Sequence, residues 1–432
     1  MAARPVADLL QEKGWTRSTV LAILVSGLGY FVDIYDLILF GIVRVDSLKS
    51  IGLTGEAITQ EGIFLLNMQM IGMLVGGLFW GILGDKKGRL SVLFISIIMY
   101  SVANIANAFV LDVVSYAEWR FIAGVGLAGE LGAGITLVSE SMPKESRGWG
   151  TTIVATLGLW GAVVAGSVAN MDWNALFPSL LSHWNLENWR IAYLFGGMLG
   201  LLLLVLRIGV HESGMFQKMV QSNVSKGNVL LLFRDWKTTR KFLATTLIGV
   251  PIWYSVGILV LFSLELNQFI HVQGEINMGK AVALAYVGIA IGDFISGALS
   301  QILRSRKKAI FLFMTFLCLI CYYYLYLMKA PSIEWFYTIC FLIGFATGYW
   351  AVFVTTAAEQ FGTNIRATVT TSTPNFVRGS VALITSLFEF LRHRINDIHA
   401  AALVGAICFL AAYWALFTLQ ETYGKELDYL ES

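Results

Sequence analysis

Gly81-Ile-Leu-Gly-Asp-Lys-Lys-Gly-Arg89 lies between two long apolar segments, and the chain returns to it half a length later as Gly297-Ala-Leu-Ser-Gln-Ile-Leu-Arg-Ser-Arg306. A second pair strengthens the repeat. Glu140-Ser-Met-Pro-Lys-Glu-Ser-Arg147 and Glu359-Gln-Phe-Gly-Thr-Asn-Ile-Arg366 share the spacing from Glu to Arg at nearly the same offset. A third falls at the ends of the halves, His211-Glu-Ser-Gly and Gln420-Glu-Thr-Tyr-Gly. Two similar membrane halves carrying matched hinge loops are the pattern of secondary carriers built from internal repeats.

Composition agrees with a bilayer. Hydrophobic residues make up 57% and charged residues 13% of the chain, with a mean hydropathy of +0.70, against about 25% charged in soluble domains. Apolar runs of about 20 residues, enough to span, are read at 19–43, 62–83, 91–110, 117–140, 150–170, 190–210, 241–266, 280–302, 309–328, 335–358, 367–391 and 398–420. This predicts an all-α membrane protein with twelve spans in two six-helix bundles. A membrane β-barrel is excluded, because its strands alternate polar and apolar residues, whereas the run from Leu199 to Leu206 is continuous.

Residues 1–17 are polar and the first apolar run is long enough to remain as an anchor, so no cleaved leader is read. Placing the amino terminus inside puts about 21 basic residues on cytoplasmic segments and about 7 outside, which predicts that both termini are cytoplasmic. The net charge of +2 gives no footprint for nucleic acid. Cys318, Cys321, Cys340 and Cys408 all fall inside apolar runs and lack the partners of a metal site, so a buried structural role is expected and no metal or cofactor.

The longest polar interruption, 211–240, is read as a cytoplasmic linker between an amino-terminal bundle, 1–210, and a carboxy-terminal bundle with its tail, 241–432; it is expected to hold an amphipathic surface helix. The interruption at 171–189 carries Trp173, Trp184 and Trp189, which read as interfacial anchors on the outside.

The Gly81–Arg89 stretch resembles the loop between the second and third spans of the major facilitator superfamily. Finer features are Arg120-Phe-Ile-Ala-Gly-Val-Gly-Leu-Ala-Gly-Glu130, Glu140-x-x-Pro143-x-x-x-Arg147-Gly148, and Arg207 with Glu212-Ser-Gly-Met-Phe216. These look like the metabolite:proton symporters, with sugar porters and organic-ion transporters as neighbours. The resemblance runs from about Gly29 to Glu426 and is weaker in the second half, where Gln301 replaces the acidic residue of the loop motif. The Gly-Pro signature of drug:proton exporters is missing from the fifth span, so the resemblance implies uptake.

Ionisable groups at membrane depth are functional candidates by default. Asp33 and Asp36 lie inside the first apolar run. Asp36 falls about 17 residues or roughly 26 Å along its helix, level with Arg120 near the outer end of the fourth span. The resemblance to sugar porters implies that Asp36 faces Arg120 and is tied to proton coupling; the alternative is a purely structural pair. Asp33 faces either the cavity or the external vestibule. Glu130, in the middle of the fourth span and read as a lone buried acid, either carries a proton or donates a hydrogen bond to nearby backbone.

In the eleventh span Thr371, Asn375 and Arg378 share a face, beside Pro374. Arg378, about 16 Å deep, either meets an anionic ligand or pairs with Asp293 or Glu389. Trp160, Tyr254, Tyr349 and Trp350 lie near mid-span and either line the cavity or pack. Asp85, Arg89, Glu140 and Arg147, mirrored by Arg304, Glu359 and Arg366, are expected to tie the cytoplasmic helix ends together when the inner gate shuts.

The sequence therefore points to proton-coupled uptake of a small organic anion or polar metabolite by alternating access, in a monomer embedded in a bacterial inner membrane. The partners expected are the solute, protons and lipid. Rivals are a facilitative carrier or exporter of the same fold and a membrane sensor without flux. No ATP-binding loop is present. An enzyme is not expected, because His183, His211, His271, His393 and His399 lie in loops or at helix ends without a catalytic constellation.

Overall fold

The computed structural model describes residues 16–143, 146–176, 186–207, 232–392 and 394–425. Apart from one isolated bridge between Gln273 and Ser332, its regular structure is helical. The first half contains α1 (Arg17–Ser50), α2 (Glu56–Lys87), α3 (Arg89–Asn107), α4 in two pieces (Val113–Leu127 and Glu130–Ser141), α5 (Arg147–Ala169) and α6 (Asn188–Leu206). The second half begins with α7, an α-helical stretch from Trp236 that turns π-helical over Ser255–Val260 and ends at Ile270. It continues with α8 (Met278–Ile302), α9 (Arg306–Tyr322, prolonged by a π turn), α10 in two pieces (Ile333–Thr347 and Trp350–Gln360), α11 (Arg366–Arg392) and α12 (Asp397–Thr418). Most of the expected linker, 211–231, and Trp184 lie outside the described residues.

Eleven of these helices are long and apolar enough to cross a membrane. α11 is the twelfth crossing, and it differs for a reason visible in its sequence: Thr368, Thr370, Thr371, Ser372, Thr373, Asn375 and Arg378 sit in its first half. All of these are buried, so protein and not lipid receives its polar face. The opposite situation holds on the periphery, where Phe79, Ile95, Leu202, Leu312 and Leu410 are exposed. Such an apolar belt marks an integral membrane protein.

Polar residues set the helix starts. Asp112, Asp235, Asn277, Ser305, Ser332 and Asn396 each accept a hydrogen bond from a backbone amide of the helix they precede, each contributing about 1 kcal/mol. Within the halves α1 packs on α5, α2 on α4, and α8 on α10. Between them the contact runs along two seams, α2 against α11 and α5 against α8. These seams are equivalent under the sequence repeat.

The expected span 241–266 is interrupted at Ile248–Gly249 and Leu261–Phe262; two others, 117–140 and 335–358, are interrupted at Ala128–Gly129 and at Gly348–Tyr349. These last two occupy equivalent places in the repeat. At the break in α10 a Cβ on Gly348 would lie 2.4 Å from the Gly292 carbonyl carbon, so only glycine lets α10 lie this close to α8. Asp293 sits beside it and accepts a 2.6 Å hydrogen bond from the Ala351 amide, at the start of the second piece of α10.

Candidate functional site

α11 starts at Arg366, so Arg378 is twelve residues in, about 18 Å along the axis. Its guanidinium points out of the second half and meets Asp33 of α1 at 3.4 Å. The Tyr30 hydroxyl (3.5 Å) and Asn375 Oδ1 (3.4 Å) also accept from it. Trp350, at the break in α10, presents its ring 5.6 Å from the guanidinium carbon. Asp33 and Arg378 are 0% and 1% exposed, so the pair is closed off from water.

The donor and acceptor inventory of this cluster is incomplete. Asp33 Oδ1, Arg378 Nε and Trp350 Nε1 are buried and make no hydrogen bond. Buried polar groups in a packed protein are normally satisfied, and a group of them around one cation is a ready receptor for a further polar ligand. Asn375 does two jobs. Its Nδ2 donates to the Ala128 carbonyl at the break in α4 (2.8 Å) and to Thr371 O (2.7 Å), while its oxygen faces Arg378.

The partner of Arg378 is thus neither Asp293 nor Glu389. Asp293 is held by Ala351, and Glu389 pairs with Arg392 at 3.2 Å. Thr371 packs on Gly132 of α4 and offers its carbonyl to Asn375. Among the aromatic candidates only Trp350 reaches the cluster. Tyr254 donates to Ala401 O (2.8 Å) and Tyr349 to Ile248 O (3.0 Å), joining α7 to α12 and α10 to α7. Trp160 is 43% exposed, on the side of α5 away from Gly158 and Gly161, which press on Tyr30 and the Phe31 backbone. Depth along the helix is right for Trp160 and rotational phase is wrong, so it faces lipid.

Asp36 and Arg120 share a level in the first bundle without forming an ion pair. Arg120 donates to Gln69 Oε1 and to the Tyr193 hydroxyl (3.4 Å) and lies 4.6 Å from the Phe40 ring. Asp36 is fully buried with neither carboxyl oxygen hydrogen-bonded, and it lies against Gly196 of α6. Asp33 reaches Arg378 at the seam, whereas Asp36, on the same side of α1 but about 60° further round, lies against α6 of its own bundle.

Glu130 is not a lone acid. Arg207, at the end of α6, grips it with two hydrogen bonds, 2.5 Å to Oε2 and 3.2 Å to Oε1, and Ser96 adds a third at 2.9 Å. Arg207 also donates to the Leu93 carbonyl. Glu130 opens the second piece of α4, where a negative side chain suits the helix dipole. This arrangement ties α3, α4 and α6 together.

At the loop end the repeats interlock. Asp85 accepts from the amides of Ala367 (3.1 Å) and Thr368 (2.9 Å) and from the Thr368 hydroxyl (2.6 Å), capping α11 of the other half. Arg89 reaches Glu140 at 2.8 Å, and Arg366 reaches the same carboxylate at 3.3 Å from across the seam. In the second half Glu359 pairs with Arg306 at 3.1 Å. Arg304, expected in this role, is exposed in a left-handed turn (φ 49°). The repeat of the loop motif is one residue longer in the second half, which moves its pairing arginine to Arg306. The side chain of Arg147 lies outside the described residues.

Tyr30 and Arg306 escaped the sequence reading. Tyr30 had a usable signal, since it precedes Asp33 by three residues and so shares its side of α1.

Comparison with known proteins agrees with this architecture. Residues 20–386 match the Major Facilitator Superfamily, and the chain belongs to that family. A putative metabolite transport protein of Haemophilus influenzae is 27% identical over 98% of this chain and 100% of its own length. The niacin transporter NiaP of Acinetobacter baylyi is 32% identical over 44% of this chain and 40% of its own. Among solved structures, the proton:xylose symporter XylE bound to 6-bromo-6-deoxy-D-glucose superposes with a TM-score of 0.73 at 16% identity, covering 95% of this chain and 98% of that one. The protein is a membrane transporter and not an enzyme.

Proposed function

We propose that this Major Facilitator Superfamily transporter takes up a small organic anion together with protons, binding the anion at Arg378 between its two halves. One observation carries the reading: the only described cation at the centre of the seam is matched there by an acid from the opposite half, at 3.4 Å. A guanidinium in a water-free site binds carboxylates strongly and directionally. An incoming carboxylate would take the place of Asp33 on Arg378, with Tyr30 and Trp350 presenting aromatic surface to its body. Niacin, named for one relative, is an aromatic carboxylate of this kind.

Proton coupling fits the acids of α1. An ionised carboxyl without hydrogen bonds is costly at membrane depth, so Asp36 is the group best suited to hold a proton while the loop end is shut. Opening would bring it water or Arg120. The networks around Asp85 and Glu140 then act as the gate, the two halves rocking about the bound solute. The excess of basic residues on the loop side supports a cytoplasmic position for that end and both termini, and an inner bacterial membrane is the setting that suits such uptake.

The test is uptake by the full-length protein in liposomes with an imposed pH gradient. Accumulation of a labelled carboxylate above equilibrium, with alkalinisation outside, is the expected result. Accumulation unaffected by collapsing the gradient would overturn proton coupling, and failure of Arg378→Ala to discriminate between anionic and neutral solutes would overturn the anion site.

A further inference from the structure

At the loop end of the second half, outside the seam, the start of α7 and the ends of α10 and α12 enclose a cavity of about 390 Å³. Lys237, Arg240, Lys241 and Lys425 line it together with Trp236 and Gln360, and no acidic residue is among its described lining. The nearest acid along α7, Asp235, is occupied with the Thr238 amide (2.9 Å) and hydroxyl (2.8 Å). Its described lining is therefore basic, with Lys237 and Arg240 on one helix.

Exposed apolar groups stand beside it. Trp236 is 72% exposed, Trp414 50% and Leu243 44%. The Arg240 guanidinium lies 5.6 Å from the Trp414 ring, which sets a cation and an indole at one level, as at a membrane interface. Lys241 holds the inner wall by donating to Gln360 O at 3.1 Å and covering the Phe361 ring at 4.1 Å. A basic pocket bounded on one side by exposed aromatics has the two parts that a phospholipid needs, a seat for its phosphate and a wall for its chains.

We propose that this pocket binds one anionic phospholipid, with the phosphate between Lys237 and Arg240 and an acyl chain along Trp414 and Leu243. A phosphatidylglycerol headgroup complements the pocket because it brings a net negative charge. A zwitterionic headgroup would bring its own ammonium into a site already crowded with cations.

Native mass spectrometry and thermal-shift titration of the detergent-purified full chain, with phosphatidylglycerol and with phosphatidylcholine, test this. Phosphatidylglycerol should bind one molecule per chain and raise the melting temperature, and phosphatidylcholine should not. Each basic residue near an anionic lipid contributes about fivefold, so Lys237→Gln with Arg240→Gln should weaken binding about 30-fold. Lys86→Gln with Lys87→Gln, exposed at the same end of the first half, should leave it unchanged. Equal loss in both double variants would reduce the effect to diffuse charge and overturn the site. Displacement by inorganic phosphate or glycerol 3-phosphate at comparable concentration would make it a soluble-anion site. Binding that appears only after deletion of 426–432 would assign the pocket to the acidic tail.

Discussion

Asp33 and Arg378 stand 345 residues apart in the chain and meet at 3.4 Å across the seam between the halves. Other buried charges that cross between the halves, Asp85 on the start of α11 and Glu140 with Arg366, do so at the loop end. Among the described residues this pair alone, at that depth, joins the two halves, and on the proposed mechanism whatever replaces it would decide when they can part.

Arg378→Ala should lower the affinity for carboxylates about tenfold or more, since a hydrogen bond to a charged group contributes about 1.5–3 kcal/mol. Neutral analogues should lose little. Equilibrium binding by calorimetry separates the two, and equal losses for both classes would remove Arg378 from the ligand site.

Asp33→Asn removes the internal carboxylate that competes for Arg378. Carboxylate affinity should rise about tenfold, by the same hydrogen-bond magnitude, and become less dependent on pH. Weaker binding in this variant would show that Asp33 holds Arg378 in place for the ligand and does not compete with it.

Asp36→Asn should abolish accumulation driven by a pH gradient and spare counterflow exchange, which needs no net proton movement. Unchanged accumulation in the liposome assay would take the coupling role away from Asp36.

For Glu130 the expectation is structural. Glu130→Gln leaves Arg207 buried without its carboxylate and should cost about 3–5 kcal/mol of stability, seen as a lower melting temperature. Joint replacement with Arg207→Met should recover part of that loss, and full stability of the single variant would mean that the pair adds nothing.

The end of α12 carries a pH-sensitive clasp outside the membrane span. Burial pushes the Glu421 carboxyl up, but the Ser305 hydroxyl and the amides of Tyr423, Arg306 and Thr422 outweigh it and hold the carboxyl below its ordinary range. A depressed carboxylate stabilises above its unfolded pKa, and that contribution is lost as pH falls through the folded value. Acidification below the usual Glu range should therefore speed hydrogen exchange at Arg306–Lys308, and Glu421→Gln should exchange fast at every pH.

The fold was legible because two kinds of signal agreed: runs of about 20 apolar residues and loop motifs that return at a fixed offset. The list of charged residues at membrane depth was legible for the same reason, each standing out against its apolar surroundings. Their partners were not. Asp36 and Arg120 were placed at one level by counting residues, yet Arg120 turns to Gln69 and Tyr193, because depth fixes one coordinate and rotation about the helix another. Trp160 shows the same limit. Glu130 looked solitary because Arg207 is 77 residues away in the chain, and the interruptions of α4 and α10 are set by contacts with α3, α11 and α8 that no local pattern contains.

The two seams are alike in path and unlike in chemistry. On one, the Asp85 carboxylate sits on the amino-terminal amides of α11. On the other, Gln301 approaches the start of α5 beside Gly148, and its amide nitrogen makes no hydrogen bond. A neutral amide grips a helix dipole less firmly than a carboxylate does. The proposed gate therefore has a firmer edge and a looser one, the looser held among the described residues by neutral contacts such as the 2.8 Å hydrogen bond between Thr151 of α5 and Thr355 of α10: α5 and α8 should peel apart first while α2 and α11 still cling, so the mouth should open like a door on a jamb and not like a pair of symmetrical jaws.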